Sequence, residues 1–269
     1  MPAIQLARLK KQIQELRTAW AEPLKFHQTL IALLEYYADP TRRTGQSAEP
    51  ETLMKTYQVP PPLINQIVLG VSDLIASRPA YSLQVCDRLW ADAAYEPCLL
   101  AIHFLGLIPG LESEIAARAG QWLQEAGDDK LVEAIFDVGV AGLAARRPED
   151  FLELAQSWLT QEQKESLKVG LRALETLLHV PDFENFPPCF RMITPLVRQA
   201  HPELRPELVS VLAALGERSP AETAYFYLGL MDAPISTETG LLIRLGLENL
   251  PPDHKQRVRM RLRERRRGT

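Results

Sequence analysis

Leu89–Pro109 reads LWADAAYEPCLLAIHFLGLIP, and the prediction of the fold depends on this stretch. A helix is expected to end on Leu89 and Trp90, and a short break separates it from a second helix over Tyr95–Leu107. Apolar residues occur on every side of the second helix, so other helices must cover it all round. An inner helix of this kind is typical of a large bundle or a stacked helical array.

The composition is that of a globular helical protein with an uneven distribution of charge. Hydrophobic residues make up 46% of the chain, charged residues 24% and aromatic residues only 7%, which excludes a disordered chain and favours helix over sheet. Residues 255–269 hold eight of the 30 Lys and Arg and one of the 34 Asp and Glu, so residues 1–254 carry a net charge of −11. The body of the protein should therefore repel nucleic acid, whereas its basic end should attract it.

Three features predict a cytoplasmic protein with no membrane partner. The three cysteines, Cys86, Cys98 and Cys189, are odd in number, widely spaced and set among apolar residues, as expected of buried thiols in a reducing compartment. The first 20 residues are charged throughout and lack the apolar core of a signal peptide. No run of about 18 apolar residues, the length that crosses a membrane, occurs in the sequence.

Helix pairs recur along most of the chain. The first helices of five successive pairs are expected to begin at residues 79, 113, 148, 188 and 220, which are 34, 35, 40 and 32 residues apart. This spacing suits helix-hairpin repeats in which each pair buries its face on the next. We therefore predict an all-α fold, specifically an α-solenoid of HEAT-like repeats (an α-α superhelix). A non-repeating helical bundle is the alternative.

The predicted organisation has three parts: N-terminal helices and a long loop over 1–53, a HEAT-like repeat domain over 54–250, and a basic C-terminal helix or tail over 251–269. The loop, Asp39–Pro62, is rich in turn-forming residues and closes on three consecutive prolines. Thr41–Thr44 within it reads TRRT, which either meets a phosphate or is simply solvated. Whether this loop becomes ordered on binding is not decided by the sequence.

Motifs for cofactor or metal chemistry are lacking. The sequence contains no phosphate-binding glycine loop, no nucleophile elbow and no metal-ligand spacing, so we expect neither a cofactor nor a metal. His103 lies in the most apolar helix, where a hydrogen-bonded core histidine is the simpler interpretation. Trp90 and Trp158 each end the first helix of a pair, where they would wedge between repeats.

Asp137 is the strongest candidate for chemistry. It lies in KLVEAIFDVGVAGLAA, Lys130–Ala145, on the same side of a predicted helix as Glu133 and the small residue Ala141. Small neighbours would leave its carboxylate reachable in a groove, and Glu133 four residues earlier is a like-charged neighbour. Such a pair either performs acid–base work or steadies a developing cation, or else it consists of two solvated surface acids.

Three segments resemble the AlkD-like DNA alkylation repair family of HEAT-like glycosylases. Met54–Ile67, MKTYQVPPPLINQI, resembles that family's entry segment, in which a Tyr/Phe-x-Val turn precedes a helix opened by proline. Leu89–Gly106 resembles its signature of Leu-Trp, Tyr-x-Glu and an apolar helix. Phe136–Leu159 resembles the run that begins near an Asp and ends in a Trp-Leu helix. The similarity covers roughly residues 54–230.

The resemblance implies a basic concave surface on duplex DNA and a catalytic Asp, flanked by Trp and Arg, that helps cleave the glycosidic bond of an N-alkylated purine. A fixed carboxylate would stabilise the oxocarbenium character that develops as this bond breaks. Asp137 falls on the family's Asp position, but Glu133 stands where the family has Trp, Asn65 where it often has Arg, and Val169-Gly170 about where another Arg is expected. The scaffold thus resembles the family more closely than the active site does.

Two main functional hypotheses follow. The first is a DNA-binding protein related to alkylation repair, with weak or lost glycosylase activity, Asp137 and Glu133 as catalytic candidates, and duplex DNA as partner. The candidates for contact with its phosphates, besides the C-terminal tail, are Arg146, Arg147, Lys168, Arg172, Arg191 and Arg198. The second is a non-enzymatic scaffold whose groove binds a protein. A third has the basic tail touching RNA or ribosomes; the alternative for this tail is a plain solvated extension. Neither the oligomeric state nor the substrate base can be read from the sequence.

Overall fold

The computed structural model describes residues 5–38 and 54–267, apart from the side chains of Leu6 and of residues 265–267. Within these ranges the regular structure is helical, and an isolated bridge between Lys55 and Ala94 is the one strand-type pairing. The predicted all-α class is confirmed. The chain divides into two compact units, Met1–Leu143 and Ala144–Thr269. This division falls inside the predicted 54–250 repeat domain.

The first unit contains seven complete α-helices in its described part, together with one π-helical turn. The helices are α1 (Leu6–Ala19), α2 (Pro23–Tyr37), α3 (Pro61–Ser77), α4 (Pro79–Trp90), α5 (Tyr95–Leu107), α6 (Glu112–Glu125) and α7 (Asp129–Ala134). The π-helical turn spans Ile135–Gly139, and α8 (Ala141–Arg146) follows it and contains the boundary between the units. The phosphate contact considered for Thr41–Thr44 concerns residues outside the described ranges.

The second unit continues as α9 (Pro148–Leu159), α10 (Lys164–Leu178), α11 (Phe186–Gln199), α12 (Arg205–Arg218), α13 (Pro220–Leu230), α14 (Thr237–Gly246) and α15 (Pro252–Arg267). Short 3-10 turns at Pro202–Leu204 and Leu247–Asn249 precede α12 and follow α14. Prolines open α2, α3, α4, α9 and α13 at the first turn, where the missing N–H has no partner to lose. None of the helices in 5–38 and 54–267 has both the length and the apolar character needed to cross a membrane.

Helix α5 is the inner helix of the first unit, as its composition predicts. It contacts α3, α4, α7 and the π-helical turn. Its side chains are buried on several faces, including those of Leu100, Ile102 and Phe104, which are 0% exposed. Because α5 is covered from several directions, it needs no polar face, and this accounts for the unbroken apolar run in its sequence.

In the second unit the later helix of each pair packs on the next one. Helix α10 contacts α9 and α12, and α12 in turn contacts α11, α13 and α14. Arg218, at the end of α12, donates hydrogen bonds of 2.7–2.9 Å to four backbone carbonyls, those of Leu178, Val180, Pro181 and Phe183. Its guanidinium also lies 5.6 Å from the centre of the Phe186 ring at the start of α11. The start of α13 is therefore held beside the start of α11.

Candidate functional site

Asp137 lies in the π-helical turn, where the sequence predicts an uninterrupted helix over Lys130–Ala145. The N–H of Val140 donates to the carbonyl of Ile135 at 2.9 Å, five residues back, so the turn is one residue wider than an α-helical turn. The wide turn accompanies a close approach to α5. A Cβ atom on Gly106 would lie 2.3 Å from the carbonyl oxygen of Val138, which only glycine permits. Periodicity cannot reveal such a turn, because its cause lies on another helix.

The Asp137 carboxylate is accessible. Asp137 is exposed and makes no hydrogen bond or ion pair with any described residue. Glu133, one turn earlier, is also exposed. A carboxylate in water stabilises a developing cation weakly, whereas one covered by a bound ligand does so strongly, because the effective dielectric constant falls. Catalysis at Asp137 would therefore require a ligand that covers it.

Two of the tryptophans stack on each other. The rings of Trp90 on α4 and Trp122 on α6 stack with centroids 4.5 Å apart and planes 7° from parallel. The Trp90 Nε1–H donates to Glu125 Oε2 at 2.7 Å, and Trp122 is 2% exposed. This geometry is that of a wedge between helices of the first unit. Trp158 on α9 is likewise buried.

A buried carboxylate joins two of the segments that carry the resemblance. Glu96, in the first turn of α5, is 4% exposed and accepts hydrogen bonds from Thr56 Oγ1 at 2.8 Å and from the backbone N–H of Tyr57 at 2.9 Å. The N–H of Val59 contributes a third, longer bond at 3.4 Å. The N–H of Tyr95 also donates to the carbonyl of Lys55 at 2.9 Å. Glu96 therefore anchors the segment that enters α3, and its role is structural.

A His–Asp pair in the first unit was not anticipated from the sequence. His27 Nε2 on α2 lies 2.6 Å from Asp92 Oδ2 in the break between α4 and α5. Such a pair orients an imidazole, but nucleophilic catalysis would also need a reactive partner. Cys98, whose thiol lies 3.6 Å from the carbonyl of Trp90, is a poor one, since burial raises its pKa to about 12. The 65 residues between His27 and Asp92 leave no local signal for the pair.

His103 is half-buried in α5. Burial among apolar neighbours lowers its pKa, because a charged imidazolium would lose its hydration there. The imidazole is therefore neutral at neutral pH. The imidazole makes no hydrogen bond with a described residue, so the hydrogen-bonded core histidine expected from the sequence is found only in part.

The basic residues proposed for phosphate contact are spread over several helices. Arg146 and Arg147 are exposed at the junction of α8 and α9, and Arg147 pairs with Asp150 at 2.8 Å. Lys168 and Arg172 lie one turn apart on α10, and Arg191 and Arg198 are exposed on α11. Within the second unit these candidates thus occupy separate helices.

Acidic groups surround the basic residues on α10. Lys168 pairs with Glu165 at 3.2 Å, and this hydrogen bond, with the nearby charges of Glu207 and Glu203, raises the pKa of Lys168. Lys164 pairs with Glu203. These carboxylates would weaken the attraction of α10 for a phosphate backbone.

Basic residues of helix α15 are also paired with an acid. Lys255 and Arg259 both form ion pairs with Glu248, at 2.6 and 3.1 Å.

Among the described residues there is no cluster of three or more His, Cys, Asp or Glu that could hold a metal ion. Comparison with protein-family models, with curated proteins and with solved structures found no match.

Proposed function

We propose that this chain is an AlkD-like HEAT-repeat protein that binds duplex DNA in alkylation repair, with weak or lost glycosylase activity. In this proposal Asp137, with Glu133 beside it, is the carboxylate that stabilises the cation formed as the glycosidic bond of an N-alkylated purine breaks. The solenoid part of the proposal is supported by the regular starts of the first helices, at residues 79, 112, 148, 186 and 220. The family part rests on the three segments described above.

The observation that carries the proposal is the environment of Asp137. Single π-helical turns inside α-helices are frequent at functional sites, because the wider turn redirects a side chain. Asp137 lies in such a turn, is exposed, and has no partner among the described residues.

Weak activity is expected for physical reasons. A tryptophan beside the alkylated base would offer a surface that attracts its positive charge, whereas Glu133 offers only a second carboxylate. Each phosphate contact contributes to salt-dependent affinity, and Arg147 and Lys168 are already engaged with acids. A protein of this kind would bind DNA loosely and turn over slowly.

The test of the enzymatic part is release of methylated purines from alkylated duplex DNA. We expect release above a blank without protein for the wild type, loss of release for Asp137→Asn, and retention for Asp129→Asn, an exposed aspartate in the same stretch of chain. Wild-type release equal to the blank would reject the glycosylase. Equal loss in both variants would reject a specific role for Asp137.

The test of the DNA-binding part is a salt titration with an unmodified duplex. Deleting α15 would damage the second unit, because α15 packs on α13 and Val258 is 0% exposed. We therefore suggest replacing the exposed Arg257, Arg261 and Arg263 by Gln. The logarithm of the affinity should fall with the logarithm of the salt concentration with a slope of about −0.9 per phosphate contact. Absence of binding at low salt, or its complete loss in the triple variant, would exclude a DNA-binding groove elsewhere.

The alternative function is a non-enzymatic helical-repeat scaffold that binds a protein. It is favoured by the net charge of −11 over residues 1–254 and by the pairing of Lys164 and Lys168 with glutamates. An acidic body in which these two lysines are paired with acids suits a protein partner better than a polyanion. The proposed RNA contact of the basic tail has no comparable support.

A further inference from the structure

An open groove of about 600 Å³ runs between α11 and α13 in the second unit. Its lining includes Pro187, Phe190, Arg198, Tyr225, Phe226 and Gly229. From Pro187 to Arg198 the wall formed by α11 is twelve residues long, and the eleven steps between these residues span about 16 Å at 1.5 Å per residue. The groove is thus as long as three turns of helix.

The groove exists because α11 and α13 both pack on α12 and begin side by side. Arg218 holds their starts together, through the carbonyl of Phe183 and the ring of Phe186. At the other end, the Thr239 hydroxyl at the start of α14 donates to the carbonyl of Val197 near the end of α11 at 3.0 Å. The wall formed by α11 is therefore held at both ends, and the wall formed by α13 is held at its start.

Aromatic side chains line the groove and face solvent. Tyr225 is 78% exposed, and the rings of Phe190 and Phe226 are 5.2 Å apart at an angle of 42°. The inner side of α13 is buried through other residues, such as Tyr227, which is 0% exposed. Tyr225 therefore contributes little to the core, whereas Phe190 and Phe226 are half-buried. Tyr, Phe and Arg are the residue types enriched at the centres of protein interfaces.

Gly229, one residue before the end of α13, leaves room in the lining of the groove. Glycine inside a helix costs about 1 kcal/mol relative to alanine. A Cβ atom on Gly229 would meet nothing within 4 Å, so packing within the chain does not require glycine there. The bare backbone at Gly229 instead leaves space for a side chain that enters the groove from outside.

The two ends of the groove differ in charge. The guanidinium of Arg198 has no hydrogen bond or ion pair with any described residue. At the other end, Glu222 accepts a hydrogen bond from the Ser219 hydroxyl at 2.7 Å. An occupant should accordingly present an acidic group at the Arg198 end.

We propose that this groove binds an amphipathic helix of a partner protein. The helix would present apolar residues at positions i, i+3 or i+4, and i+7, with an acidic residue near Arg198. A small amphiphile fits less well, because small-molecule sites bury most of the ligand, and this groove is open along its length. The inference rests on the scaffold function given above as the alternative and does not depend on glycosylase activity.

The test uses a displayed library of 16-residue helical peptides with apolar residues fixed at these positions and the remaining positions varied, selected on the full chain. We expect enriched peptides to carry an acidic residue at one end. In fluorescence anisotropy, Gly229→Trp and Tyr225→Ala should each weaken binding at least tenfold. Leu69→Ala, at a 68% exposed site in the first unit, should leave binding unchanged. Circular dichroism checks that each variant is folded.

Arg198→Glu tests the polarity of the groove. Selection on this variant should enrich basic residues in place of acidic ones, a reversal that a merely structural role of Arg198 would not produce. Enrichment of no peptide would overturn the proposal. Peptides that bind Gly229→Trp as well as wild type would overturn the groove while leaving a scaffold function intact.

Two further measurements test other possible occupants of the groove. Sedimentation that shows a dimer abolished by Gly229→Trp would assign the groove to a second copy of this chain. Binding of dodecanoate that is lost in the same variant would assign it to a small anionic amphiphile. Either result would overturn the proposal of a partner helix.

Discussion

Replacing Gly106 by alanine should destabilise the first unit by disturbing the contact between α5 and the π-helical turn. The added Cβ would lie 2.3 Å from the Val138 carbonyl oxygen and 3.2 Å from its carbonyl carbon. Ordinary carbon–oxygen contacts are about 3.3 Å or longer, so α5 and the turn would have to separate by about 1 Å. Because the obstacle is backbone, rotation of a side chain cannot relieve it.

The expected magnitude follows from two opposing terms. Overpacking of a well-packed interior costs about 1–3 kcal/mol, and a clash with backbone belongs at the upper end of this range. Alanine in place of glycine within a helix returns about 1 kcal/mol. We therefore expect Gly106→Ala to lower the free energy of unfolding by about 2 kcal/mol. With a denaturant dependence of about 2 kcal/mol per M of urea, the midpoint should fall by about 1 M.

Urea unfolding followed by tryptophan fluorescence suits this measurement, because Trp20, Trp90 and Trp122 all belong to the first unit. Far-ultraviolet circular dichroism recorded in parallel would show whether the two units unfold together. Gly229→Ala is the matched control: its Cβ meets nothing within 4 Å, so it should stabilise the protein by about 0.5–1 kcal/mol.

A urea midpoint of Gly106→Ala that equals or exceeds that of wild type would refute the close approach of α5 to the π-helical turn. Amide exchange gives a second readout, because the Val140 N–H that bonds the Ile135 carbonyl should exchange faster once the turn is displaced. Since Val138 directly follows Asp137, the same variant should also lower any glycosylase activity, whereas Gly229→Ala should not.

Three further predictions concern buried groups. Glu96→Gln should lower the free energy of unfolding by about 2 kcal/mol, since charge-assisted hydrogen bonds from the entry segment of α3 are lost; an unchanged urea midpoint would contradict the anchoring role. Burial lowers the pKa of His103 in the folded protein. Below about pH 6.5 the imidazole is therefore protonated more readily in the unfolded chain than in the folded protein. Stability should therefore fall from about pH 7.5 to about 5.5, and His103→Asn should flatten this dependence in urea unfolding; an equal slope in both proteins would count against it. Burial raises the pKa of Cys189, like that of Cys98, to about 12 and raises that of Cys86 as well, so a thiol reagent at about pH 8 should label none of them in the folded protein and all three in concentrated guanidinium.

Much of the secondary structure could be predicted because its causes are local. Helix α5 was expected over Tyr95–Leu107 and has these bounds, since an apolar run between a break and a proline admits few other conformations. The prolines at the starts of α4 and α9 mark their first turns, because a missing N–H is tolerated only there. The burial of the cysteines was also anticipated from their apolar neighbours, and it is confirmed.

The candidate site was predictable only in part. Asp137 was singled out by its neighbours along the chain and by resemblance, and its role stays a prediction. Its π-helical turn was not foreseen, because the turn accompanies the approach of Gly106 from a separate helix. The groove between α11 and α13 could not be predicted for a similar reason. Phe190 and Tyr225 are 35 positions apart, and in the sequence each looks like a residue on the buried face of its own helix.

The sequence by itself determined that this protein is all-helical, where most of its helices begin, that its thiols are buried and that its end is basic. These properties depend on propensity, periodicity and charge, which act over a few residues. Only the tertiary structure decided that Glu96 holds the segment before α3 and that Trp90 stacks on Trp122. It also decided that Arg198, whose guanidinium has no partner among the described residues, lies at the end of an aromatic groove. Each of these depends on groups from distant parts of the chain that meet only when helices pack. Burial and pairing are properties of that packing, and they determine which polar side chains are structural and which remain open to a ligand.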